Sequence, residues 1–274
     1  MMKMKNTLLL VLAVFMLSAC KTSPFTGKKT LNFVSNDQLF PMAFQQYNQF
    51  LSENNVVTGT AESAMVKRVG EKIAVAAERY LTALGEPGYL NDYRWEYNLV
   101  QDEAINAWCM PGGKIVVYTG ILPITQTERG LAMVMGHELA HALANHGAQR
   151  MSAGQLQQLG ALGTAVAVSG QDPAKQQQIM QLYGVGTTVG GMLPFSRSHE
   201  NEADKIGLLI AAIAGYDPTE GAKLWQRMKA ASNGQAPPEI MSTHPSSDTR
   251  IANLTELVPF AKQEAAKFGV TTFQ

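Results

Sequence analysis

His137-Glu138-Leu139-Ala140-His141 is the stretch from which the fold and the chemistry of this 274-residue chain can be predicted. On an α-helix, positions i and i+4 lie about 40° apart, so both imidazoles share one face and each can give a zinc ion one neutral nitrogen. Glu138 lies about 100° from His137, where it can reach a water on the metal but is poorly placed as a ligand. That is the position of a general base. The alternative is an ordinary helix with two surface histidines.

A zinc ion that catalyses hydrolysis needs three protein ligands and one open position, so a third ligand must come from another helix. Segment 196–204 offers one, because Glu200 and Asp204 are four residues apart and share a helical face. We predict that Glu200 completes the ligand set for one zinc ion per chain. Asp204 would then hydrogen-bond the outer nitrogen of a ligand histidine and fix its tautomer. Taken alone, this segment would be interpreted as a solvated helical face, and only its combination with the motif at His137 favours a ligand.

Four blocks of the sequence together resemble the gluzincin metallopeptidases related to the CAAX prenyl proteases, peptidase family M48. They are the motif at 137–141, Arg197-x-x-Glu200-x-x-Ala203-Asp204, Asn106-Ala107 leading into Pro111-Gly112-Gly113-Lys114-Ile115, and Thr243-His244-Pro245 with Arg250. With the N-terminal segment described below, the chain is similar to the periplasmic lipoprotein branch. It departs from the family at Trp108-Cys109, where smaller or aliphatic residues are more usual, and this leaves substrate preference near that strand open.

The resemblance implies roles for residues outside the ligand set. His244 would donate to the oxyanion, or would approach the zinc and occupy its open position; a loop histidine that caps local structure is the alternative. Arg250 would support that loop or the oxyanion. An edge strand would line the cleft and pair with extended substrate through main-chain hydrogen bonds, although a plain hairpin strand is an equal alternative. The strand residues are Asn106, Ala107, Trp108, Cys109 and Met110.

The first residues have the features of a secretion signal. A short positive region precedes the apolar run Leu8 to Leu17, which is too short to span a bilayer comfortably. The run ends in Leu17-Ser18-Ala19-Cys20, which resembles the lipobox of bacterial lipoproteins, where the cysteine is acylated after cleavage. An ordinary signal peptide is the alternative. In a Gram-negative host, the family resemblance and Lys21 favour the outer membrane, with the protein facing the periplasm.

The domain organisation follows from this segment. We expect residues 1–19 to be a lipoprotein signal peptide, residues 20–35 a lipid anchor and tether, and residues 36–274 a zinc metalloprotease domain. Cys109 would be the only thiol left after acylation of Cys20, so no intrachain disulfide could form. We interpret it as a packed small residue, with a reactive nucleophile as the alternative. Lys+Arg and Asp+Glu are equal at 22 each, and no basic cluster supports a nucleic-acid partner.

The pattern of the chain predicts an α+β fold, a mainly helical zincin-type metalloprotease domain with a small β-sheet beside the HExxH helix. His146 lies about 140° from His141 on such a helix, so we place it near the helix end and not among the ligands. Residues 233–245 are predicted as a loop that could gate the site. The predicted strands are 93–99, 104–110 and 114–118, and the predicted helices are 37–53, 61–84, 126–150, 152–168, 173–190, 197–214, 217–232, 246–256 and 259–268.

Together these observations predict a zinc-dependent metalloendopeptidase that acts on proteins or peptides and binds the membrane through lipid on Cys20. The resemblance implies a role in quality control, the degradation of misfolded or unassembled cell-envelope proteins, with unfolded envelope proteins as the substrates. One alternative is a non-catalytic lipoprotein chaperone or assembly factor with a structural or latent zinc site, which a fourth ligand from His244 would favour. Another is a hydrolase of non-peptide bonds, but the sequence has no sugar- or phosphate-binding motif that supports it.

Overall fold

The structure is a computed structural model that describes residues 20–187, 197–231, 239–244 and 248–274, so the predicted signal peptide lies outside it. The described residues form two compact units, one from 20–38 and 147–187 and the other from the described parts of 39–146 and 197–274. Helices dominate and a four-stranded sheet accompanies them, which confirms the predicted α+β class. None of the described helices combines the length and the apolar character required to cross a bilayer.

The elements are numbered in chain order. They are β1 (Cys20–Thr22), β2 (Lys29–Leu31), α1 (Asn36–Glu53), β3 (Val56–Val57), α2 (Ala61–Ala83), β4 (Glu96–Val100), β5 (Ala107–Met110), β6 (Lys114–Tyr118), a 3-10 turn (Thr119–Ile121), α3 (Leu122–Thr125), α4 (Glu128–Leu143), α5 (His146–Val168), α6 (Pro173–Thr187), α7 (Arg197–Ile213), α8 (Glu220–Ala231), α9 (Glu239–Thr243) and α10 (Asp248–Lys267).

The main sheet has the strand order β3-β4-β6-β5, so β5 forms one of its edges. β6 pairs in parallel with β4 and antiparallel with β5, with Ala107 opposite Val117. The turn between β5 and β6 passes through Gly112 and Gly113, whose φ angles of 84° and 85° favour glycine. Every residue of β6 is buried, as expected of an inner strand.

Helix α4 carries the HExxH motif through the centre of its unit. It begins after Thr127, whose hydroxyl accepts a hydrogen bond from the backbone N–H of Gly130. Every residue from Gly130 to Leu143 is buried, because α2, α7 and β5 all pack against the helix. A helix enclosed in this way is apolar all round, which explains why the residues flanking the motif carry no charge.

Helices α4 and α7 cross at two glycines. A Cβ atom on Gly207 would lie 2.7 Å from the backbone nitrogen of His137, and one on Gly136 would lie 2.9 Å from the carbonyl oxygen of Gly207. Such separations are too short for real Cβ atoms, so glycine is required for this approach of the two backbones. The crossing sets the N-terminal half of α7 beside the histidines of α4.

The prediction of one continuous helix over 126–150 was wrong in its C-terminal part. The chain leaves α4 at Ala144, and Asn145 adopts a left-handed conformation with φ 56°, after which α5 begins at His146. Asparagine tolerates this conformation better than most residues, so it can end one helix and redirect the next. The predicted break at 150–152 does not exist, because α5 runs continuously from His146 to Val168.

The C-terminal helices were also divided wrongly. Residues 248–267 form the single helix α10, which continues through Pro259 because Leu254, Ala261 and Ala265 are buried on one side of it. The predicted loop 233–245 contains the short helix α9, while 232–238 and 245–247, including Pro245, lie outside the described residues. Helix 173–190 is confirmed as far as Thr187, beyond which the chain is not described.

Two strands begin later than predicted. Tyr93 lies in a turn, where its N–H bonds the carbonyl of Leu90, so β4 begins only at Glu96. Tyr93 and Trp95, which precede the strand, pack in a row of aromatic rings with Tyr97 of β4, and this accounts for their part of the alternation. Before β5, the side chain of Asp102 accepts a hydrogen bond from the N–H of Ala104 and holds a turn. The predicted lipid anchor and tether, residues 20–35, contains the hairpin β1–β2.

Candidate metal centre

Four buried side chains converge at one point of the larger unit. His137 and His141 project from α4, Glu200 from the first turn of α7, and His244 from the residue after α9. Each is at most 5% exposed, and one potential ligand atom from each lies within 4.8 Å of all the others. The structure therefore brings together the three predicted ligands and the loop histidine.

The separations of these atoms fit a single tetrahedral ion. Nε2 of His141 lies 3.1 Å from Nε2 of His137, which lies 3.3 Å from Nδ1 of His244. Oε1 of Glu200 lies 2.9 Å from Nδ1 of His244 and 3.4 Å from Nε2 of His141. Atoms about 2.0–2.1 Å from a tetrahedral zinc are themselves about 3.3–3.4 Å apart. The donor set thus fits one metal ion at its centre.

Glu138 lies beside this group without belonging to it. Its carboxylate is buried, and its Oε1 has no hydrogen-bond donor among the described residues. Nε2 of His244 lies 3.7 Å from this oxygen. Burial raises the pKa of Glu138, although the charges of His244 and His137 oppose this. A buried carboxylate with an unsatisfied oxygen and a raised pKa is suited to accept a proton.

Asp204 and Arg250 contact the proposed ligands His137 and Glu200. Oδ1 of Asp204 lies 3.0 Å from Nδ1 of His137, on the ring edge opposite the nitrogen that faces the other ligands. Arg250 donates from Nε to Oδ2 of Asp204 at 2.6 Å and from Nη2 to Oδ1 at 2.7 Å. Its Nη1 lies 2.8 Å from Oε2 of Glu200. One guanidinium therefore contacts two carboxylates of α7, those of Glu200 and Asp204.

These contacts decide the ionisation of the buried acids. Burial alone would raise the pKa of Asp204, but the charge and hydrogen bonds of Arg250 lower it. The pKa of Glu200 is also lowered, because hydrogen bonds from His137, His141 and His244 outweigh the effect of burial. Both groups are therefore anionic near neutral pH, as a ligand and a hydrogen-bond acceptor must be.

Two contributing residues were not recognised in the sequence. Trp225 of α8 is 4% exposed, and its ring lies 3.6 Å below the guanidinium carbon of Arg250 and 5.7 Å from the ring of His137. No sequence signal separates it from an ordinary core tryptophan. His146 is completely buried, and its ring contacts His141. The Asn145-His146-Gly147 stretch, which can end a helix, was the signal that could have revealed it.

The predicted substrate strand lies at the sheet edge and packs against α4. Ala107 is buried and the next three residues are half-buried. The side chain of Trp108 packs edge-on against Tyr47 and Phe50, on the face of the sheet that α1 covers. Cys109 is a free thiol, and burial together with the nearby charge of Glu138 raises its pKa, which disfavours a reactive thiolate.

The residues of this candidate metal centre lie in a segment of the chain that matches a known family. Residues 60–258 match the family model described as Peptidase family M48. The chain belongs to peptidase family M48. This confirms the family resemblance of the four sequence blocks, and the matched range includes every proposed metal ligand.

Individual members of family M48 match at moderate identity. The chain is 33% identical to the mitochondrial metalloendopeptidase OMA1 of Schizosaccharomyces pombe over 244 residues, which is 87% of this chain and 66% of that protein. It is 33% identical to OMA1 of Saccharomyces cerevisiae over 211 residues, 73% of this chain and 57% of that protein. It is 30% identical to the β-barrel assembly-enhancing protease of Escherichia coli over 167 residues, 58% of this chain and 33% of that protein. The chain thus spans less than two thirds of the length of these relatives.

The geometry predicts which side chains retain the metal. Replacing His141 or Glu200 by Ala removes one of the converging atoms, and we expect purified protein to lose its metal ion. Glu138→Gln should retain it, because Glu138 lies beside the donor set. The measurement is metal content per chain by elemental analysis, with the exposed Glu53→Gln as control. Full metal content in Glu200→Ala would contradict the proposed ligand set.

Proposed function

We propose that this chain is a zinc metalloendopeptidase in which His137, His141 and Glu200 are the zinc ligands and Glu138 is the general base. The observation that carries the proposal is the buried Glu138 carboxylate, which lies beside the four converging side chains without belonging to them. A structural zinc site usually has four protein ligands and no adjacent free carboxylate. Two imidazoles and one carboxylate are a donor set typical of catalytic zinc, with the His–His–Glu composition of several metallopeptidases.

The residues around the proposed metal site have separate roles in catalysis. When bound, zinc supplies a Lewis acid that lowers the pKa of a water molecule to about 7 and polarises the scissile carbonyl. Glu138 takes a proton from the attacking water and passes it to the leaving amine. Its burial strengthens it as a base because the charged form is poorly solvated. Asp204 keeps His137 in one tautomer, with its other nitrogen directed at the donor group.

An extended peptide is the substrate that the sheet edge fits. β5 lies at the edge of the sheet and packs against α4, so a chain paired with it would run past the metal site. Main-chain hydrogen bonds are common to all peptides, which favours loose sequence preference. Because the Trp108 side chain is held by aromatic rings of α1, the unusual residue at this position contributes to the sheet packing. We infer that the backbone from Asn106 to Met110 guides the substrate.

Replacement of the proposed general base, Glu138, tests this proposal most directly. Full-length protein in detergent should contain zinc and cleave casein, whereas Glu138→Gln should contain zinc and lose activity by at least about 100-fold, because general acid–base catalysis contributes about 10²–10⁴-fold. Glu53→Gln, on an exposed position of α1, is the matched control. Equal cleavage by Glu138→Gln and wild type would refute the mechanism. Zinc in both proteins with cleavage in neither would favour a latent enzyme or a chaperone.

A latent state has specific support in the position of His244. Its Nδ1 occupies the fourth corner of the donor group, at 3.3 Å from Nε2 of His137 and 2.9 Å from Oε1 of Glu200. The N–H of Ile240 in α9 bonds the carbonyl of Ile105, just before β5. The segment that carries His244 is thus attached next to the proposed substrate strand. We infer that α9 and His244 close the site at rest, as the gate predicted for this loop.

Removal of the imidazole separates the two roles considered for His244. If His244 closes the site, His244→Ala should retain zinc and cleave casein several-fold faster than wild type, since the fourth position is then always accessible. If it donates to the oxyanion, kcat should fall by about 10²–10³-fold, the usual effect of losing one such donor. The initial rate of cleavage by zinc-loaded protein distinguishes these outcomes. An unchanged rate with unchanged zinc affinity would exclude both.

The biological setting is proposed from the sequence and the relatives together. The lipobox-like ending at Cys20 supports an outer-membrane lipoprotein that faces the periplasm in a Gram-negative host. One relative is named a β-barrel assembly-enhancing protease, which supports a role with unfolded or unassembled envelope proteins. On this proposal the acyl chains hold the enzyme at the membrane, and unfolded segments supply the extended substrate.

Lipid attachment at Cys20 is open to a direct test. Cells grown with labelled palmitate should incorporate label into wild type and into Cys109→Ser, but not into Cys20→Ser, because only Cys20 follows the lipobox-like run. We also expect Cys20→Ser to leave the membrane fraction. The measurement is label in the immunoprecipitated protein, and equal labelling of Cys20→Ser would rule out the lipoprotein assignment.

A further inference from the structure

His146 occupies a position that neither the ligand set nor the general base explains. It is the first residue of α5 and is 0% exposed. Its Nδ1 lies 2.9 Å from Nδ1 of His141, which is the nitrogen on the ring edge away from the donor group. The left-handed Asn145 between the two helices makes this possible, because it redirects the chain and places His146 against the ring of His141.

The far side of the His146 ring faces two side chains of α7. Its Nε2 lies 3.6 Å from Oε2 of Glu202, and its ring stacks on that of His199 with the centroids 4.3 Å apart and 26° between the planes. Both partners come from the first turns of α7, the same helix that supplies Glu200. His146 therefore lies between the ring of His141 on α4 and the side chains of His199 and Glu202 on α7, with Glu202 just beyond hydrogen-bond distance.

The proton positions in this chain of groups follow from the chemistry of imidazole. If Nε2 of His141 faces a metal ion, its remaining proton must lie on Nδ1. Two ring nitrogens 2.9 Å apart can share only one proton, so Nδ1 of His146 must accept it. Neutral His146 then carries its own proton on Nε2, which faces the carboxylate of Glu202. Each ring has one permitted tautomer.

We propose that His146 is a positioning residue of the metal centre, accepting the Nδ1 proton of His141 and thereby fixing the ring in its ligand orientation. The inference rests on the proposed metal site. Asp204 plays the corresponding part for His137. The two ligand rings differ in consequence, because His137 bonds an anionic carboxylate and His141 bonds a neutral imidazole. A carboxylate partner raises ligand basicity more than a neutral acceptor, so His141 is the weaker donor of the pair.

Metal affinity provides the test, with two substitutions that separate hydrogen bonding from packing. His146→Leu removes the acceptor and keeps a bulky side chain, whereas His146→Asn retains an acceptor oxygen at the place of Nδ1. Zinc affinity of the full-length protein is measured by competition with a chromophoric chelator. We expect His146→Leu to lose about 10- to 100-fold in affinity, the usual effect of losing such a partner, and His146→Asn to lose clearly less.

A merely structural role predicts a different pattern. Ser152→Ala, another fully buried polar residue of α5, serves as control and should lower thermal stability without changing zinc affinity. Unchanged zinc affinity in a folded His146→Leu protein, or equal losses in Leu and Asn variants, would overturn the proposal. If wild type itself binds no zinc, the proposed metal centre fails and this inference fails with it.

A second measurement does not depend on the stability of the buried variants. In zinc-loaded wild type, long-range ¹H–¹⁵N correlations should show His146 as the neutral Nε2–H tautomer and His141 with its proton on Nδ1. In Glu202→Gln we expect the ¹⁵N shift of His146 Nε2 to change while zinc stays bound. A His146 ring protonated on Nδ1 would contradict the assigned direction of the hydrogen bond and overturn the proposal.

Discussion

The close crossing of α4 and α7 at Gly136 and Gly207 is the constraint on which the site depends. Any side chain at either glycine would push the helices apart, since a Cβ on Gly207 would lie 2.7 Å from the His137 nitrogen. His137 follows Gly136 directly, and Glu200 lies two turns before Gly207. The backbone contact therefore sets the distance between the histidines of one helix and the carboxylates of the other.

This crossing buries two carboxylates of α7 close together, and an arginine of α10 compensates their charge. Glu200 and Asp204 are both almost fully buried, and two desolvated carboxylates on one helix face would disfavour folding. Arg250 brings one guanidinium between them, with Trp225 stacked on its face at 3.6 Å. Arginine suits this place because its planar fork can donate to both acids at once. The C-terminal helix is thus part of the site, although it contributes no ligand.

The side chains that contact the two histidines of the motif come from different parts of the chain. Asp204 on α7 contacts His137, while His146, which follows the helix break at Asn145, contacts His141. His146 in turn meets Glu202 and His199 of α7. The charged stretch at the start of α7 therefore serves both rings, through Asp204 on one helix face and Glu202 on another. Rigid attachment of both rings reduces the reorganisation that metal binding would otherwise require.

Local spacing in the sequence determined the helical HExxH motif, the pairing of Glu200 with Asp204, the α+β class and the family, because each depends on residues a few positions apart or on ordered blocks. Only the tertiary structure decided which residues that are distant in the sequence contact one another. The breaks were mispredicted where packing overrides propensity, as at Pro259, and where one left-handed residue, Asn145, ends a helix. The sequence indicated His244 and Arg250 only by resemblance, and it did not reveal Trp225 or the contact of His146 with His141. Those roles arise when separate helices meet, and no periodicity within a single helix records which neighbour its side chains will contact.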